Sequence, residues 1–403
     1  MYKSKIVGMG FKVPDNVISN DDLSKIMDTS DEWIQTRSGI KERRWATEEV
    51  ATSDLALSAA NNAIKNAEID NKEIDLVIVG TLSSDYFFPG VSAQLQEKLN
   101  SDLLYSRLQT DQHQVSKDGT QKWLFKLTDD KKIETVFIPE SDRGTLCISS
   151  QVGCTLSCSF CHTGTMPLVR NLSSEEIIGQ ILAAKDSLLD WDMKNRKITN
   201  IVFMGMGEPL YNYQEVTKAI KILLDNEGLC YSRRKITLST SGVVPIIQKL
   251  KYELDVSLAI SLHAVTDEVR NELVPINKKW PIKELLSSLE VYPGVNNSRR
   301  ITFEYIMLDG VNDSINDAKK LVKLLKPIHA KVNLIPFNPW PGSIYRCSSD
   351  KTIKDFADEV CYNGGITATV RHARGQDILA ACGQLKSNSV RLSKEKVVKI
   401  NAA

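Results

Sequence analysis

From Thr145 onward the chain repeats one pattern: a short apolar run, then a longer stretch with apolar residues three and four apart. The runs predict strands at 145–149, 199–204, 235–240, 255–262, 300–307 and 331–336. The stretches predict helices at 173–190, 214–225, 244–252, 282–291 and 314–326. Ser173, with Glu176 three residues on, opens the first of these as a capping box. Repeated strand–helix units argue for a parallel sheet with right-handed crossovers. Six of them predict a partial (β/α)6 barrel, open on one side, whose chemistry lies in the loops after the strands.

Ahead of that core the pattern changes. Residues 122–127 and 133–138 alternate as strands, and Asp129-Asp130 can turn between them as a hairpin. The polar stretch Asp111–Thr120, with Asp118-Gly119 inside it, reads as a turn within a seam. Residues 1–99 predict α/β structure: a strand at 5–10, a helix at 53–67 and a buried strand at 74–81. The expected organisation is a segment 1–99, a linker and hairpin extension 100–143, a core 144–385 and a basic tail 386–403.

Composition narrows the class. Apolar content of 42% and charged content of 25% suit a soluble globular protein. No run of eighteen apolar residues exists and the N-terminus lacks an apolar signal segment, so the expected location is the cytoplasm. Residues 1–100 carry 11 Lys and Arg against 16 Asp and Glu, and the remainder 40 against 34. The mildly basic second part suits an anionic partner. In a reducing compartment the eight cysteines are metal ligands, catalytic thiols or core residues before they are structural disulfides.

Three of them, Cys154, Cys158 and Cys161, fall at C-x3-C-x2-C in the loop after the first core strand. Three thiolates can hold three irons of a four-iron cluster and leave the fourth iron open. Zinc, with the adjacent His162 as fourth ligand, is the alternative that the spacing leaves open. The triplet resembles the cluster loop of radical S-adenosylmethionine enzymes, in which the open iron chelates the amino and carboxylate groups of S-adenosylmethionine.

Longer runs carry a closer resemblance. Arg143–Cys154 continuing to Leu172, Gly205-Met206-Gly207-Glu208-Pro209, Thr237–Gly242, Ser261-Leu262-His263, Asn333–Pro339 and Arg374–Leu385 resemble the RlmN family over residues 104–385. The resemblance implies a radical S-adenosylmethionine methyltransferase acting on C2 of an adenine in 23S rRNA and tRNA. It implies a [4Fe-4S] cluster on Cys154, Cys158 and Cys161. It also implies an S-adenosylmethionine site made by Gly207, Glu208, Ser239, Ser261, Leu262, His263 and Asn338. Cys382 matches the cysteine that is methylated first and then carries the methyl group to C2. Cys147 matches the thiol that frees the product through a transient disulfide, and Glu134 matches the proton acceptor. The partners implied are the two RNAs and an electron donor such as flavodoxin, with no membrane. Adenine C8 methylation and an inactive fusion retaining cluster and cofactor stand as alternatives.

The first segment has its own resemblance. Thr29–Ile34, Arg37–Arg44, Gly80-Thr81 and Phe88-Pro89 look like the N-terminus of a β-ketoacyl-acyl carrier protein synthase III, a thiolase-like α/β fold. The resemblance stops near Leu99, before that family's nucleophile, so a truncated piece is implied. The helical accessory domain that helps RlmN relatives hold RNA has no counterpart here. For RNA the candidate cations are Arg170, Arg233-Arg234-Lys235, Lys278-Lys279 and the tail from Arg391 to Lys399.

Overall fold

The computed structural model describes residues 5–387, except 75–76, 84, 86–89, 100–106, 193, 227, 291, 293–294 and 296–299. Phe88-Pro89 and the tail cations Arg391–Lys399 therefore lie outside the described residues. The chain divides into two units, Met1–Ser106 and Arg107–Ala403.

The larger unit is built on one ten-stranded sheet whose order follows the chain. Its strands are β1 (Gln109–Val115), β2 (Gln121–Lys126), β3 (Lys132–Pro139), β4 (Gly144–Cys147), β5 (Asn200–Phe203), β6 (Ile236–Thr240), β7 (Ser257–Ser261), β8 (Ile301–Met307), β9 (Ala330–Pro336) and β10 (Ala368–Val370). Strands β1 to β4 pair antiparallel, and β4 to β10 pair parallel. Between them run α1 (Ser174–Leu188), α2 (Tyr213–Leu224), α3 (Val244–Glu253), α4 (Asp267–Leu273), α5 (Ile282–Glu290), α6 (Ile315–Leu325) and α7 (Asp350–Asp358). The Ser173 capping box forms as expected.

The parallel part has seven strands where six were expected, because β10 is three residues long and two of them are exposed. The turn expected at Asp118-Gly119 forms, and β1 ahead of it is a strand where only a polar seam was expected. All seven of its residues are exposed, so neither face carries the alternation that marks a half-buried strand. Its pairing with β2 closes over a tight turn in which Ser116 N donates to Thr120 O at 2.8 Å. The hairpin of 100–143 is thus continuous with the main sheet.

Trp123 anchors β2 in the core with 0% of its surface exposed, and its Nε1 donates to Ser187 Oγ on α1 at 3.1 Å. Truncating a buried aromatic of this size costs about 3–5 kcal/mol. Trp123→Ala is therefore expected to lower the unfolding free energy by that amount, seen in urea unfolding as a lower midpoint at unchanged m-value.

The smaller unit departs further from expectation. It holds helices Asn20–Ser24, Asp31–Ser38, Thr52–Ala67 and Val91–Lys98, and one ribbon pairing Asn16–Ser19 with Glu42–Trp45. Neither 5–10 nor the described part of 74–81 is a strand. A strand needs a neighbour's N–H and C=O groups. Residues 8–11 instead lie on the helix Thr52–Ala67, where Asn66 accepts from Met9 N and Asn62 donates to Phe11 O. The approach is close enough that a Cβ on Gly10 would stand 2.3 Å from Ala59 O. Ile78, expected to be buried, is 83% exposed. Arg37 sits 4.3 Å above the Trp33 ring.

Candidate active site

The C-terminal ends of the parallel strands surround a cavity of about 130 Å³. The loop after β4 contributes Cys154, Cys158, Phe160 and Cys161. The ends of β5, β6 and β7 contribute Gly207, Glu208, Ser239, Ser261 and His263. The segment after β10 contributes Cys382 and Gly383. Nine of the thirteen site residues expected from sequence thus line one space. Leu262 does not, because its side chain is fully buried behind the wall. Asn338 lines a second cavity, donating to Cys382 O and accepting from Gln376 Nε2. Cys147 and Glu134 stand outside the lining of both cavities.

The cysteine loop is held by its own backbone and by distant elements. Cys161 N donates to Cys158 O, Ser159 N to Leu273 O at the end of α4, and Trp340 Nε1 to Phe160 O. Burial pushes the Cys154 thiol up to about 12, and burial with neighbouring thiols carries Cys158 well above its usual range. Three such thiols stay protonated at neutral pH unless a cation neutralises them, which is the donor set of a metal or cluster site. Among the described residues, no three His, Cys, Asp or Glu groups converge closely enough to hold a single ion. In a cluster each thiolate binds a different iron, so three thiols on one loop fit an iron–sulfur cluster. His162 is also engaged elsewhere: it stacks on Trp340 at 4.7 Å, and its Nδ1 lies 3.2 Å from Gln384 O.

The rest of the wall is preorganised. Glu208 is buried, and its two carboxylate oxygens accept from Leu210 N at 3.1 Å and Ser241 N at 2.8 Å. Burial nonetheless raises its proton affinity. Gly207 holds φ +101°, and a Cβ there would meet the Gln151 side chain at 2.5 Å. The glycine is thus required by Gln151, which reaches across to accept from Glu208 N. His263 adopts φ +60°, its Nδ1 accepts from Ile306 N at 3.1 Å, and its ring meets Phe160 edge to face. Burial and then the nearby Arg270 charge lower its pKa to about 3, so the imidazole is neutral with its proton on Nε2.

Cys382 opens to both cavities. Its segment is strapped from two sides. Asp118 and Asp377 tie 375–377 to the turn between β1 and β2. His162 N donates to Gly383 O at 2.7 Å, and Thr163 Oγ1 to Leu385 O, which join it to the cysteine loop. The second cavity, of about 510 Å³, runs along the parallel strands from Thr145, Asn200 and Lys331 to Met204 and Ile335, and is lined also by Arg143, Arg371 and Arg374, against Glu140 and Glu304.

Cys147 ends β4 opposite Val136 of β3. Strand alternation therefore puts Glu134, Val136, Ile138 and Cys147 on one face, the face that lines the second cavity at Ile138. Burial pushes the Cys147 thiol up to about 12, opposed by Arg371, which also lies beside Cys382. Glu134 is buried in an ion pair with Lys122 at 3.0 Å and accepts from Lys386 N at 2.7 Å. Burial raises its pKa against the pull of Lys122. Lys122, Gln151, Arg270 and Arg371 escaped the sequence reading. Their roles come from tertiary contacts, and only the position of Arg371 just after a strand carried a signal.

Residues 148–325 match the model of the Radical SAM superfamily. The dual-specificity RNA methyltransferase RlmN of Rhodopseudomonas palustris (strain BisA53) is 57% identical over 319 residues, covering 75% of this chain and 79% of the relative. The chain belongs to the RlmN family. The RlmN of Bradyrhizobium sp. (strain ORS 278) is 62% identical over 291 residues, 70% of this chain and 72% of that relative. Among solved structures, a radical SAM methyltransferase from Sphaerobacter thermophilus is 44% identical, covers 73% of this chain and 85% of that one, and superposes with a TM-score of 0.68. A 3-oxoacyl-[acyl-carrier-protein] synthase III from Aquifex aeolicus aligns with 25% of this chain and 32% of its own at 46% identity, with a TM-score of 0.24.

Proposed function

We propose that this RlmN-family chain methylates C2 of adenine in 23S rRNA and tRNA, with Cys382 carrying the methyl group. The observation that carries the reading is the position of Cys382, between the cavity of the three cluster cysteines and a second, cationic cavity. Cys154, Cys158 and Cys161 hold the [4Fe-4S] cluster. Gly207, Glu208, Ser239, Ser261 and His263 receive S-adenosylmethionine, with Leu262 and Asn338 supporting the wall. Bound there, cluster and S-adenosylmethionine supply the methyl group and the electron that makes its carbon reactive.

The chain's own residues do the rest. Cys382 presents the carbon to the base. Cys147 then bonds to the Cys382 sulfur as that sulfur's bond to carbon breaks, and Arg371 favours the attacking thiolate against the burial that opposes it. Glu134, on the same sheet face as Cys147, takes the proton from C2, and the carbon that leaves Cys382 keeps the bonding pair and takes up a proton to become the methyl group. The neutral His263 holds no charge against the sulfonium of the cofactor. Intact-mass and peptide mass spectrometry of the protein after anaerobic incubation with S-adenosylmethionine tests the reading. One added methyl on Cys382 is expected, and an unmodified Cys382 beside an intact cluster rejects it.

The second cavity is the route for RNA. Arg170 is spent on Asp129 and Glu176, Arg233 on Asp255 and Arg143 on Glu140, whereas Lys331 and Arg374 line the cavity to which Cys382 opens. Lys331→Glu and Arg374→Glu are each expected to weaken RNA binding in a filter assay and to lower the salt slope by about 1, as for one lost phosphate contact. Methylation of Cys382 should be unchanged in both. An electron donor such as flavodoxin would reduce the cluster. The core 144–385 reads as the partial barrel, 100–143 as its hairpin extension and 386–403 as a basic tail. Residues 1–99 read as the truncated synthase III-like piece, on the strength of Thr29–Ile34 and Arg37–Arg44.

A further inference from the structure

Arg270, on α4, is fully buried. Its guanidinium donates through Nε to Leu262 O at 3.0 Å, through one amino group to Asn277 Oδ1 at 2.8 Å, and through the other to Ser241 O at 2.7 Å and Ser261 O at 3.1 Å. Every one of these acceptors is neutral. The other buried cations are treated differently: Lys122 pairs with Glu134 and Lys185 with Asp190. A buried charge with no opposite charge in contact is costly and calls for compensation nearby.

The compensation is at hand on the cluster side. The acceptors Ser241 and Ser261 line the cluster cavity, and Leu273, one turn on from Arg270, accepts from Ser159 N in the cysteine loop. The electrostatic neighbours of the guanidinium are Cys158 and Asp267, with neutral His263 on the cavity side. Three thiolates around an oxidised four-iron core leave one net negative charge, and reduction makes it two. We propose that Arg270 is the fixed counter-charge of the cluster and a positioning residue that joins the ends of β6 and β7 to the cysteine loop.

The inference rests on the cluster reading and makes a signed claim about it. A fixed positive charge stabilises the more negative, reduced cluster. Arg270→Gln is expected to shift the one-electron reduction equilibrium of the reconstituted protein about tenfold toward the oxidised form, which is 59 mV more negative. Arg270→Lys, which keeps the charge, should restore most of that shift while iron content and cofactor affinity show what the lost fork did. Asp267→Asn unmasks the guanidinium and keeps the oxygen that accepts from Asn277 and Ile282. It should shift the equilibrium about twofold the other way.

Electron paramagnetic resonance of dithionite-poised samples reads all three variants, with iron counted on each. Opposite shifts in Arg270→Gln and Asp267→Asn support the counter-charge. If Arg270→Gln does not fold, Asp267→Asn decides alone, and a potential equal to that of the unaltered protein overturns the proposal. Failure of the unaltered protein to take up a cluster would instead remove the reading beneath it.

Discussion

Replacing Cys382 with alanine is expected to abolish methyl transfer to RNA, by about 10³-fold or more, while leaving the cluster and cofactor binding in place. The aromatic C2 carbon is neither acidic nor nucleophilic, so the protein has to present a methyl carbon on a sulfur that later leaves. The structure offers one thiol that opens to both the cluster cavity and the cationic cavity. Cys147→Ala should fail differently. Cys382 still becomes methylated and still bonds to the base, but no second thiol breaks that bond. The expected product is RNA held covalently to the protein, seen as a retarded, ribonuclease-sensitive band on a denaturing gel. A freely released methyladenine from Cys147→Ala would show that the pair does not act as proposed. The high proton affinity that burial gives Cys147 sharpens the contrast, because its attack needs the nearby Arg371 charge. Replacing Arg371 with glutamine should therefore slow release and leave Cys382 methylation alone.

The parts of this site legible in the sequence are those whose signal is local. Strand ends β5 to β9 were placed to within about two residues by their apolar runs, and the cysteine triplet by its spacing. What escaped was set by tertiary contact. Strand β1 is exposed on both faces and α7 buries only Ile353 and Phe356, so neither shows a wide apolar stripe. Gly207 was expected in the cofactor wall and lines it, but what requires a glycine there is the Gln151 side chain, which no local pattern shows. Asn338 was expected in the cofactor wall, yet its amide is spent on Cys382 O and Gln376, holding the Cys382 segment from behind. The strands expected at 5–10 and 74–81 had the right composition, but among the described residues they have no strand neighbour to pair with, which propensity cannot reveal.

Cys158→Ala should remove the cluster without unfolding the chain. Anaerobic reconstitution is expected to leave less than one iron per chain, against about four in the unaltered protein, because a cluster held at two points on a short loop loses an entire iron ligand. The fold should persist, since the loop is held by Ser159 N to Leu273 O, Trp340 Nε1 to Phe160 O and His162 N to Gly383 O, none of which uses the thiol. The same thiols give loading a pH dependence of known sign. Burial raises the proton affinity of all three, so at neutral pH each carries a proton that must leave when iron binds. Each proton released weakens loading about tenfold for every unit that pH falls, so three make the dependence steep. Competition against an iron chelator between neutral and mildly alkaline pH measures the slope. In Cys158→Ala the residual iron affinity should follow a slope one proton shallower. An equal slope in both proteins would mean that Cys158 is not deprotonated on binding and is not a ligand.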